Sequence, residues 1–234
     1  MLITRLSLSP SFGYHHSMYF LRRTLLPVVF LFGSLHATAH PHMLIITRLT
    51  FEFEGARCPG FWVDWDFDRF FSASIIHDFD RDRDGTFNEQ EIRLIHDNAF
   101  INLEHYGFFV FLRQGETRTN PRKVLHFTAS QKDNNVHYRF YVPLPEGFTG
   151  EFYVSIFDPS YFCAVKYQEE EPVVVVQKRE GAPLPRWNIQ ENKNYPIYYD
   201  PYGPVTDTTI HTKWRPGLET AYPEEVHLVF PGGQ

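Results

Sequence analysis

Residues 61–79 read FWVDWDFDRFFSASIIHDF, and the period of the apolar residues changes halfway along. Phe61, Val63, Trp65 and Phe67 fall on one side of the chain, with Trp62, Asp64 and Asp66 on the other. That alternation is the mark of a half-buried β-strand. From Asp68 onward Phe71, Ile75 and Phe79 recur at spacing four, which gives a helix one apolar face.

Outward from this stretch the same two periods sort the chain. Met43–Phe53 partly alternates and is bounded by Gly55, so it reads as a strand. A second helical stretch runs from about Asn88 to Tyr106, with Ile92, Ile95, Ala99 and Leu103 as its apolar stripe. After Gly107 strand signals return at Phe108–Arg113, Lys123–Ala129, Val136–Val142, Glu151–Asp158 and Pro172–Lys178. Turn-forming clusters separate them, among them Lys132-Asp133-Asn134-Asn135 and Asp158-Pro159-Ser160. Short strands at this spacing predict a mainly β (α+β) fold, an Ig-like antiparallel β-sandwich over residues 40–180. An EF-hand-like helix-loop-helix is inserted at about 68–106. From Gly181 prolines interrupt any long element, yet Trp187, Tyr195, Tyr198, Tyr199, Trp214 and Tyr222 are too many aromatics for a free tail. Residues 181–234 are expected to form an extended arm lying on the domain, with Val226–Phe230 adding a last strand.

Composition agrees with a folded chain. Of 234 residues, 43% are hydrophobic and 21% charged, an ordinary globular balance. The 17% aromatic content favours pleated surfaces. A net charge of -6 argues against a nucleic-acid binder acting through a basic face.

The first forty residues read as an address. Arg22 and Arg23 precede the apolar run Thr24–Leu35, and Ala37-Thr38-Ala39 has the small-x-small form of a cleavage signal. This is the pattern of a secretory signal peptide over 1–39, with Met18 an alternative start. The run is short for a membrane span. Cleavage after Ala39 would leave 195 residues. The lost segment carries three arginines and no acid, so the charge moves to −9. The expected location is the periplasm or the exterior. There Cys58 and Cys163 meet oxidising conditions in which a disulfide can form.

The strongest chemical signal is DRDRDGTFNEQE at 80–91. A calcium loop of the EF-hand type takes ligands from positions 1, 3, 5, 7, 9 and 12, with Gly at 6. Those positions hold Asp80, Asp82, Asp84, the Thr86 carbonyl, Asn88 and Glu91, with Gly85 at the sharp turn. Alternate spacing lets a winding loop aim successive carboxylates at one centre. Glu91, on the next helix, can offer two oxygens. Apolar helical patterns on both sides supply the context this motif needs. A single such loop outside the cell reads as a structural clip for Ca2+.

A second candidate is His40-Pro41-His42. A mature N-terminal His offers its α-amine and imidazole to one metal, and His42 offers another imidazole. Such nitrogen ligands suit Zn2+, Ni2+, Co2+ or Cu2+. Asp64, Asp66 and Asp68 are further oxygen donors, or simply a solvated strand face. The chain has no Gly-x-Ser-x-Gly elbow, no His-Glu-x-x-His, no phosphate loop and no Gly-x-Gly-x-x-Gly. An enzyme is therefore not expected, and neither is a small organic substrate.

His40-Pro41-His42, Trp65-Asp66-Phe67-Asp68 with Phe71-Ser72, the 80–91 loop, Asn102-Leu103, Tyr106 before Phe108-Phe109, and Phe157-Asp158-Pro159-Ser160-Tyr161 occur in this order. Together, over about His40 to Lys178, they resemble a family of bacterial periplasmic proteins described as the periplasmic component of an uncharacterised ABC-type transport system. Members of that family often accompany nickel/cobalt-type or zinc permeases. The resemblance implies a setting of metal transport rather than a mechanism. The function expected is an exported accessory protein for transition-metal uptake. Ca2+ would brace the fold and His40 and His42 would capture Zn2+, Ni2+ or Co2+ for a membrane permease, the protein being peripheral to the membrane at most. One alternative is a calcium-stabilised module that docks a partner through its aromatic arm. Another is a mononuclear copper oxidase drawing a further ligand from His105, His126 or His137.

Overall fold

The computed structural model describes residues 41–145, 148 and 150–230. The expected signal peptide and His40 lie outside the described residues. In chain order the elements are β1 (Met43–Glu54), β2 (Arg57–Phe67), α1 (Arg69–Phe79), α2 (Glu89–Asn98), a 3-10 stretch (Phe100–Phe109), β3 (Val110–Gln114), β4 (Thr117–Thr119), β5 (Leu125–Lys132), β6 (Asn135–Pro143), β7 (Glu151–Ile156), β8 (Cys163–Tyr167), β9 (Val173–Gln177), β10 (Arg186–Glu191), β11 (Ile197–Tyr199), β12 (Glu219–Ala221) and β13 (Glu224–Val229).

These strands build a β-sandwich. One sheet has the order β5-β6-β2-β1, with β8 and β9 both running parallel to β1 along its far side. The second has the order β10-β13-β7-β3-β4, and its neighbouring strands are antiparallel. A separate small ladder joins β11 and β12. The alternation in β2 does what its sequence predicts. Phe61, Val63 and Trp65 are fully buried, while Asp64 and Asp66 lie on the outer face. Phe51 meets Phe152 across the two sheets at 6.2 Å, Trp65 meets Phe109 at 6.0 Å and Phe53 stacks on Phe230 at 5.8 Å. Each such side chain contributes about 1.5–3 kcal/mol through burial, so the core is a set of interlocked rings rather than an aliphatic slab.

The segment from Gly181 is built into this core. β13 lies between β10 and β7, and its Val226 and Leu228 are fully buried. The sandwich therefore runs through Val229.

The helical insertion sits where the sequence puts it, between β2 and β3, but the second helix is shorter than expected. α2 stops at Asn98, where the Asn98 amide bonds back to the Leu94 carbonyl at 2.8 Å. The chain then tightens into 3-10 turns that carry Phe100 into the core, stacked on Phe127 at 4.1 Å. Gly107 interrupts this stretch with φ +62. A Cβ there would come within 2.3 Å of the Asn120 amide, which itself bonds the Val110 carbonyl at 2.7 Å. Only glycine fits that combination of left-handed backbone and close approach.

Candidate metal centre

The centre is a loop suspended between two capped helices. Asp68 caps α1, accepting from the Phe70 and Phe71 N–H groups at 2.8 and 3.0 Å. Asn88 caps α2, accepting from Gln90 and Glu91 N–H at 3.0 and 3.1 Å. Glu91 returns a bond to the Asn88 N–H at 3.0 Å, completing a capping box. Phe87, between the caps, belongs to the hydrophobic core and pins the loop to the sandwich.

Within that frame one carboxylate oxygen each from Asp80, Asp82 and Asp84 can be chosen so that all lie within 4.8 Å of one another. Gly85 takes φ +85 and lets the chain turn around them. Asp80 is only 6% exposed. Its Oδ2 accepts the Gln131 amide at 2.9 Å and the Gly85 N–H at 3.3 Å, while its buried Oδ1 has no hydrogen-bond partner. An ionised oxygen left in that condition costs free energy unless a cation faces it. The Gln131 amide, helped by backbone N–H groups of the loop and opposed by burial, holds the Asp80 carboxyl below the usual carboxylate range. The group is thus a carboxylate at neutral pH, the form a hard cation requires.

The remaining loop positions are arranged less directly. Asp84 Oδ1 accepts the Thr86 N–H and hydroxyl, both at 2.8 Å. Asn88 Oδ1 is committed to α2, so a contribution from position 9 would pass through water, a common arrangement in such loops. Glu91 is buried and bonds the Arg81 and Asn88 N–H groups with its two oxygens at 2.8 and 3.0 Å. It closes the loop without joining the three-aspartate cluster. A cleft of about 430 Å³ lined by Arg69, Ala73, Ile76, His77, Arg83 and Asn134 opens beside Asp80. Gln131 was invisible to sequence reasoning. It lies 51 residues from Asp80 and reaches it only because β5 passes the loop.

Of the N-terminal pair, His42 alone is described. Its N–H donates to the Phe162 carbonyl at 2.9 Å and its ring packs on Phe162 at 5.2 Å. The other histidines are dispersed. His105 is exposed on the 3-10 stretch, His126 is exposed on β5, and His137 on β6 is engaged with Asp66. Among the described residues, Asp80, Asp82 and Asp84 are the one group of three or more His, Cys, Asp or Glu side chains close enough to share an ion. The strand-end acids are spoken for individually. Asp64 pairs with Arg139 at 2.6 Å, Asp66 with His137, and Asp68 with α1.

Comparison with known proteins is consistent in extent. Residues 25–230 match the model of a family described as "Protein of unknown function (DUF1007)". A Spirochaeta aurantia chain described as "Uncharacterized 15.5 kDa protein in trpE 3'region" is 27% identical over 103 residues, 43% of this chain and 74% of that one.

Proposed function

We propose, for a chain that belongs to the DUF1007 family, a calcium-braced, exported β-sandwich that serves as a metal-binding accessory protein of a transition-metal uptake system. The observation that carries the calcium part is the buried, unpartnered Asp80 Oδ1 at the first ligand position, with Asp82 and Asp84 oxygens beside it. Ca2+ would be held by Asp80, Asp82, Asp84, the Thr86 carbonyl and Asn88 through water, and by Glu91 once its oxygens turn from the Arg81 and Asn88 N–H groups to the ion. Its chemistry there is mechanical, tying α1, α2 and β5 into one unit. Support for the transition-metal part is the sequence His40-Pro41-His42 behind a cleavage pattern, together with the resemblance to periplasmic transport components. His42 immediately precedes β1, so a metal taken there would sit at the start of the sandwich. A membrane permease is the partner this reading implies.

The calcium test is a titration followed by thermal unfolding. A ligand at one hundred times its Kd stabilises by about 2.7 kcal/mol, so Ca2+ should raise Tm measurably and EDTA should reverse it. Glu91→Gln keeps an acceptor for the capping box but loses the charge, and should remove most of the Ca2+ response. An unchanged response in Glu91→Gln overturns the site. The transition-metal part is tested separately by titrating Zn2+, Ni2+ and Co2+ into protein with a processed N-terminus. Equal affinity in the His40→Ala/His42→Ala double variant sinks it.

A further inference from the structure

β8 is an edge strand, and its outer side faces a slot. It pairs in parallel with β1 alone. The Gln168 N–H donates to the Thr47 carbonyl at 2.9 Å, and the Phe162 carbonyl accepts from the His42 N–H at 2.9 Å. In a parallel ladder alternate residues bond the same neighbour. Even-numbered residues from 162 to 168 therefore spend their backbone groups on β1. Val165 and Tyr167 direct theirs to the opposite side, where no described residue bonds them.

That side opens on a cavity of about 350 Å³, lined by all five residues of β8 and, opposite them, by residues 221–224. Ile156 and Ile197 supply apolar surface. At the rim stand Glu191 and Glu224, which are directly opposed in the β10–β13 register. Both are exposed, and neither is in an ion pair with a described residue. Like charges directly opposite across strands are destabilising, so this pair calls for a cation from outside. Lys166 also borders the cavity, from β8, where it registers with Ile46 of β1.

We propose that this slot binds an extended segment of a partner protein by strand addition to β8. The segment's backbone would bond Val165 and Tyr167, and a lysine or arginine would lie between Glu191 and Glu224. Main-chain bonds supply affinity in this mode of recognition, and side-chain pockets supply selectivity. Three residues of incoming chain are enough to reach both free positions. The inference stands apart from the calcium and transition-metal readings.

The test uses the full chain and three blocked pentapeptides: Ac-Val-Lys-Val-Lys-Val-NH2, the same peptide N-methylated on alternate amides, and Ac-Val-Glu-Val-Glu-Val-NH2. Binding is followed by NMR shift perturbation. The basic peptide should bind with shifts at residues 163–167, about ten-fold tighter than the acidic one, and N-methylation should abolish binding. Val165→Pro removes an N–H that points away from β1, a substitution edge strands tolerate, and should lose the basic peptide. Glu191→Gln/Glu224→Gln should erase the preference for lysine. Equal binding of the N-methylated or acidic peptide overturns the proposal, as does absence of binding at millimolar peptide. Should Val165→Pro fail to fold, the N-methylated peptide on the unaltered chain still decides the matter.

Discussion

Cys58 and Cys163 sit beside opposite ends of the same strand. Cys163 registers with Met43 at the start of β1, whereas Cys58 follows Arg57, which registers with Glu54 at its end. About ten residues of strand at roughly 3.3 Å each separate them, far beyond the ~7 Å that a disulfide can span between Cα atoms. Both are free thiols and buried. Burial pushes the Cys58 thiol up to about 12 and the Cys163 thiol well above its ordinary value. Native protein should therefore react slowly with a thiol reagent at neutral pH and release two equivalents per chain once unfolded. An oxidised pair within one native chain would contradict the register.

The export expected from the N-terminal pattern made that pairing attractive from sequence alone, but the register of β1 with its neighbours is not a local property of the sequence. The alternation in β2 and the spacing of Phe71, Ile75 and Phe79 are local, so the strand, the helix and the buried face were all legible. The clustering of Asp80, Asp82 and Asp84 was legible for the same reason. Which strands lie side by side was not. β8 and β9 reach β1 in parallel across more than a hundred residues, and no local period encodes that choice. β4, β11 and β12 are three residues each, too short to show any period. Gln131 joins the 80–91 loop only through such a non-local placement.

Acid should destabilise the fold through two carboxylates outside the loop. The Lys178 ammonium, at 2.7 Å, holds the Glu52 carboxyl below its ordinary value of 4.5, aided by the Trp62 indole. The Tyr153 hydroxyl and then the His227 ring do the same for Glu151. A folded-state value below the unfolded one stabilises fully above the unfolded value and is lost as pH falls through the folded one. Measured in EDTA, Tm should hold between about pH 7 and 5 and decline below about pH 4.5. The Glu52→Gln/Glu151→Gln variant should show a shallower acid decline. An unchanged slope would show that these two pairs contribute nothing.

The second sheet carries a buried charge pair whose two halves are not equivalent to remove. Glu225 has a side chain 1% exposed and takes two bonds from Arg113, at 3.2 and 2.7 Å, and one from the Asn192 amide at 2.6 Å. Arg113 also lies over the Tyr153 ring at 3.5 Å. Arg113→Met would leave a carboxylate deep in the sheet with an amide as its remaining bonded partner. The cost should be about 3–5 kcal/mol in urea unfolding. Arg113→Met/Glu225→Leu removes both charges and should cost less than the single variant. A double variant that is the worse of the two would mean the pair itself, rather than the orphaned charge, dominates.

The proline- and aromatic-rich C-terminal segment divides into parts with opposite tolerance. β13 is an interior strand, bonded to β7 on one side and β10 on the other, and it contributes Val226, Leu228 and the following Phe230 to the core. A chain ending at residue 180 would leave β7 without that neighbour and expose the inner face of the first sheet. It should show no cooperative thermal transition. The stretch between β11 and β12 is different, because Tyr202, Val205 and Ile210 are all exposed. Replacing residues 203–210 by a short Gly-Ser linker should leave the cooperative transition in place. Surface loops tolerate such exchanges because closing a slightly different loop costs little. If the truncated chain unfolds cooperatively while the loop exchange abolishes folding, the central place of β13 in the second sheet is wrong.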